Sequence, residues 1–72
     1  MIFVVAGNYR QAHHWMRDNK LSEFGQACYV SGADVLRGQP RGSQYVYVGT
    51  FWHHPEKEKI RELLSIMDMV HI

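Results

Sequence analysis

Residues 2–8 read IFVVAGN, and the fold turns on this stretch. Ile2 to Ala6 is a continuous apolar run without polar alternation. A strand with one wet face alternates, whereas an unbroken run marks a strand buried on both faces, as in a parallel sheet. Gly7 closes the run. Asn8 is a helix N-cap residue type, because its short side chain can accept a hydrogen bond from a free N–H of the first turn. Ala12, Trp15 and Met16 then recur at i, i+3 and i+4, with Arg10, His14, Arg17 and Asp18 mostly off that stripe. The spacing predicts an amphipathic helix of about three turns, ending near Asn19 or Lys20, with Trp15 in the core.

Working outward, Ala27 to Val30 is a second apolar run, closed by Ser31-Gly32. Asp34 to Arg37 is compatible with one helical turn stopped by Gly38, and Gln39 to Ser43 (QPRGS) carries loop chemistry. Tyr45 to Val48 reads as a third strand, closed by Gly49-Thr50. Phe51 to His54 is a short connection. Pro55 suits the first turn of a helix, where Glu56 and Glu58 would complement the dipole. Ile60, Leu63, Leu64 and Met67 repeat at helical spacing. Met69 to Ile72 reads as either a last helical turn or a short fourth strand or extended tail, with the balance slightly toward the extended form.

Strands alternating with helices argue for an α/β fold with a small, mainly parallel sheet of three or four strands and two amphipathic helices. Right-handed crossovers place the second strand on one side of the first and the third on the other, order 2-1-3. The connection between strands two and three is short of helix, so an antiparallel third strand is the alternative.

The chain has 72 residues, enough for one small domain spanning residues 1–72. Eight Lys/Arg oppose seven Asp/Glu, a net charge of +1, which builds no field for nucleic acid or membrane. The single Cys28 excludes an intrachain disulfide and a four-cysteine zinc site; within an expected buried strand its thiol should be inert. No apolar run reaches membrane-spanning length or has signal-peptide form. A cytoplasmic location is the expectation, with no membrane partner.

In open α/β sheets, ligands bind at the carboxyl ends of the strands, beside the switch in strand order. Order 2-1-3 would gather Asn8, Tyr9, Arg10, Ser31, Thr50, Phe51, Trp52 and His53 on one edge, with His54 beside them. N–H groups after Asn8 would face the same space and suit an anion, with Arg10 adding a charge-assisted contact. The glycine pattern is neither a dinucleotide fingerprint nor a P-loop, and no cofactor is expected. The pairs His13-His14 and His53-His54 lack metal-site spacing and read as solvated or packing histidines. Arg10, Arg37 and Arg41 supply only a few cations for phosphate contacts. Trp52, in a loop beside Phe51, is suited to anchor a partner or stack on a base, or to close a small core.

Three segments together, VVAGNYRQAHHW at 4–15, YVSGADVLRG at 29–38 and YVGTFWHHPE at 47–56, resemble a group of very short proteins of tailed bacteriophages. The resemblance implies a reduced Rossmann-like or P-loop-like domain, and it carries no shared activity. It implies a small accessory protein that binds a host or phage protein. The segment at Leu36 to Gly38 is similar to one in nucleotide-handling domains, but no magnesium-binding acid stands beside it, which puts hydrolysis in doubt.

Three functions follow. The first is a non-catalytic binding module docking on a host or phage protein, with a homodimer as one form of assembly. The alternative is a nucleotide or single-stranded nucleic-acid binder at the strand tips. The least supported is an enzyme using His53 or His54 with Thr50 or Ser31, since no activating partner follows from the spacing.

Overall fold

The computed structural model describes residues 1–22, 25–40 and 42–72. Four strands, β1 (Ile2–Ala6), β2 (Ala27–Tyr29), β3 (Gln44–Val48) and β4 (Val70–His71), form one sheet in the order β2-β1-β3-β4. Helix α1 (Tyr9–Asp18) joins β1 to β2, and α2 (Lys57–Ile66) lies between β3 and β4. All three pairings are parallel, with Ile2 opposite Ala27 and Gln44, and Val70 opposite Gln44.

The unbroken apolarity of β1 has the expected cause. Phe3 and Val5 pack on one face with Val30, Ala33, Leu36, Ile60 and Leu64; Val4 and Ala6 pack on the other with Ala12, Met16 and Ala27. Thus α1 covers one face, and α2 the other together with a 3-10 turn at Ala33–Leu36. That turn answers the doubt over β3. One turn of helix suffices for the crossover because Ala33 and Leu36 are buried under α2, so β3 pairs in parallel along all five residues.

Several local expectations change. Trp15 is only half-buried and flanks the core rather than filling it, as does Cys28 beside the opposite core. The second long helix begins at Lys57, so Pro55 and Glu56 lie in the turn before it. Glu56 is the N-cap of α2, where its carbonyl accepts from the Ile60 N–H at 2.9 Å, but its side chain makes no cap hydrogen bond. Its carboxylate accepts from the Ala33 N–H at 3.4 Å and so tethers the start of the 3-10 turn. After α2 the chain reverses at Asp68, whose φ of 52° is left-handed, a region that Asp tolerates better than most residues. Met69 to Ile72 then runs extended, and Val70 and Ile72 donate to the Ser43 and Tyr45 carbonyls at 2.9 and 3.0 Å. Among the described residues, no helix is long and apolar enough to cross a membrane.

Candidate functional site

The switch point lies between the tips of β1 and β3. Asn8 caps α1 as its residue type requires: its side-chain oxygen accepts from the Gln11 N–H at 3.0 Å. Asn8 and Gln11 therefore stand at the N-cap and N3 positions of a capping box, in which the N3 side chain normally returns to the N-cap N–H. Here it goes elsewhere. Gln11 Oε1 accepts from the Gly7 N–H at 2.9 Å and, across the switch point, from the Thr50 N–H at 3.1 Å. Gln11 Nε2 donates to Thr50 Oγ1 at 2.8 Å. Two backbone donors fix which end of the carboxamide faces them, since only the oxygen can accept.

The glycines here are demanded by this bridge. A Cβ on Gly7 would overlap the Thr50 side chain and carbonyl. Gly49 has φ +57°, and a Cβ on it would lie 2.6 Å from Gln11 Oε1. Beside the helix N-terminus read from the sequence as an anion site, the Gly7 and Thr50 N–H groups therefore hold a carboxamide oxygen of the chain itself. Gln11 escaped the sequence reading, although the N-x-x-Q spacing of a capping box was its signal.

The residues expected at the edge divide into two groups on either side of this bridge. Toward β2, the exposed Tyr9 stacks on His13 at 5.7 Å and meets Tyr29 edge-on at 5.9 Å. Asn8, Arg10 and Ser31 are exposed. Toward β3, Thr50 is engaged with Gln11, and a 3-10 turn at Phe51–His53 presents the other three residues. Phe51 is half-buried against Tyr47, ring centroids 4.4 Å apart, while Trp52 and His53 are exposed.

His54 belongs to the fold. It is buried, its Nε2 lies 2.7 Å from the Val30 carbonyl and its Nδ1 accepts from the Glu56 N–H at 3.0 Å. The carbonyl can only accept, so Nε2 carries the proton and the tautomer is set. The pair His53-His54 thus points in two directions, one ring in water and one in the core. His14 Nδ1 accepts from the Arg17 guanidinium at 3.0 Å. Among the described residues, no cluster of three or more His, Cys, Asp or Glu is arranged to hold a metal ion. Arg37 lies 3.5 Å from Asp34, both highly exposed, and Arg41 is outside the described residues.

A concave surface lies on the α2 side of β3. A cavity of about 270 Å³ is lined by Val5, Tyr47, Phe51 and Trp52, with Lys57, Glu58 and Arg61 of α2 at its rim. A second, more open hollow of about 520 Å³ shares Tyr47 and Arg61 and continues past Tyr45 to Asp68 and Met69. Its aromatic character follows from period 2: Tyr45 and Tyr47 both face α2, whereas Val46 and Val48 face α1. Burial, and secondarily the neighbouring Tyr45, push the Tyr47 phenol above its ordinary pKa, while Arg61 opposes the rise. Burial also raises the Tyr29 phenol.

The chain matches no protein-family model, no curated protein and no solved structure.

Proposed function

We propose that this chain is a non-catalytic binding module that captures a protein partner in the groove beside the tip of β3. The observation that carries the proposal is Trp52, 52% exposed at the rim of a cavity with a floor of Val5, Tyr47 and Phe51. Large aromatic residues beside a pocket that can exclude water are the residues that dominate protein interfaces. The cavity of about 270 Å³ has room for one inserted aromatic side chain. A host or phage protein is the partner implied by the short-phage-protein resemblance.

Two features weigh against the other functions. The nucleotide alternative draws on the N–H groups after Asn8; that of Gln11 is taken by the Asn8 side chain, and the neighbouring Gly7 and Thr50 N–H groups are taken by Gln11 Oε1. The enzyme alternative loses His54, both of whose ring nitrogens are bonded to backbone groups, and rests on the exposed His53 alone.

The test is affinity capture by the intact chain, followed by identification of the retained protein and comparison with Trp52→Ala. The variant should melt near the wild-type temperature, since half of the indole is already in water, and should lose the partner. Capture at wild-type strength by Trp52→Ala would overturn the proposal.

A further inference from the structure

The rim of the groove carries charges that specify its occupant. Lys57 and Arg61 are four residues apart on α2, one turn of the same helix face, and both line the aromatic cavity. Glu58 lies at the same rim, so the three leave one net positive charge over an apolar floor. Asp68 lines the far end of the adjoining hollow. A polyanion running along the groove would meet a carboxylate at each end. A single carboxylate reaching both Lys57 and Arg61 would meet two cations against the one anion of Glu58, and an aromatic ring beside it would fill the cavity.

The rings also argue against a row of stacked bases. Tyr45 and Tyr47 meet edge to face, 5.5 Å apart at 80°, and Tyr47 leans on Phe51 at 4.4 Å. Such rings pack against one another and wall a pocket, whereas base stacking needs open faces in series.

From this arrangement we infer that the groove takes a peptide segment of the partner protein in which an aromatic side chain is next to one acidic residue. The aromatic ring enters between Tyr47, Phe51 and Trp52, and the carboxylate lies across Lys57 and Arg61. This inference rests on the docking function proposed above and adds the chemistry of the partner.

The experiment is an amide-resonance titration of the intact protein with millimolar N-acetylated, C-amidated tetrapeptides. The probes are Ser-Phe-Glu-Ser, Ser-Phe-Lys-Ser and Ser-Ala-Glu-Ser, with adenosine monophosphate as a fourth. The Phe-Glu peptide should shift resonances of Tyr47, Phe51, Trp52 and Arg61. It should bind about two- to fivefold more tightly than the Phe-Lys peptide, the range of an exposed ion pair. The Ala-Glu peptide should leave the groove unshifted. Arg61→Glu, an exposed position where the fold is retained, should abolish or reverse the preference, and Lys57→Glu should do so independently. Equal binding of the Phe-Glu and Phe-Lys peptides would overturn the acidic specificity and leave the docking function standing. Groove shifts with none of the peptides, or with the nucleotide alone, would overturn both.

Discussion

Replacing Gln11 by alanine separates a bridge made by the fold from a surface polar contact. In Gln11→Ala the Gly7 and Thr50 N–H groups lose their acceptor and Thr50 Oγ1 loses a donor. A net hydrogen bond contributes about 0.5–1.5 kcal/mol, and an unsatisfied buried donor costs about 1–3 kcal/mol. Both N–H groups are only half-buried, so water recovers part of the loss and about 1–3 kcal/mol in total is expected. A domain of this length has about 4–11 kcal/mol to lose. Each kcal/mol moves the midpoint of a domain this small by about 4–8 °C. Gln11→Ala should therefore melt at least about 4 °C lower, with a matching drop in urea midpoint and an unchanged m-value. Gln11→Glu is the control. Its carboxylate keeps the acceptor for both N–H groups, the Thr50 hydroxyl can turn to donate, and an acid in the first turn favours the helix dipole. These donors favour the charged form, so the variant should match wild type at neutral pH and lose stability as pH falls through the carboxylate range. A Gln11→Ala midpoint within about 2 °C of wild type would refute the bridge.

Other variants probe different layers of the structure. Leu36→Ala empties a fully buried position under α2 and should cost about 2–5 kcal/mol in denaturant titration. His54→Ala should cost at least about 1–3 kcal/mol by the same measurement, because it leaves a buried carbonyl of Val30 and the Glu56 N–H unpaired. The Tyr47 phenol is held above its ordinary value of 10.0, so the unfolded chain ionises first as pH rises. Its contribution is complete below that value and is lost as pH climbs through the folded value. Alkaline melts should show this loss, and Tyr47→Phe should lessen it.

The secondary structure and strand order were legible locally. The unbroken IFVVA run, the Asn8 cap, the Ile60-Leu63-Leu64 spacing and the glycines after the first three strands are short-range patterns set by backbone sterics and burial period. They suffice for a small α/β sheet of order 2-1-3 with two helices. The direction of β3 needed the tertiary structure, since it depends on Leu36 reaching the core beneath α2, a contact between segments distant in the chain. The candidate site shows the same division. Sequence placed Thr50, Phe51 and Trp52 beside a strand tip. It could not say that Gln11 would turn from its own N-cap to Thr50, 39 residues away. Nor could it say that His54 would point inward while its neighbour His53 stayed in water, or that Arg61 would line the same cavity as Tyr47. The residues themselves determine caps, turns and periodicity because those interactions span only a few positions of backbone. Which donors meet which acceptors across the switch point, and which rings wall the groove, depends on how the sheet brings distant segments together.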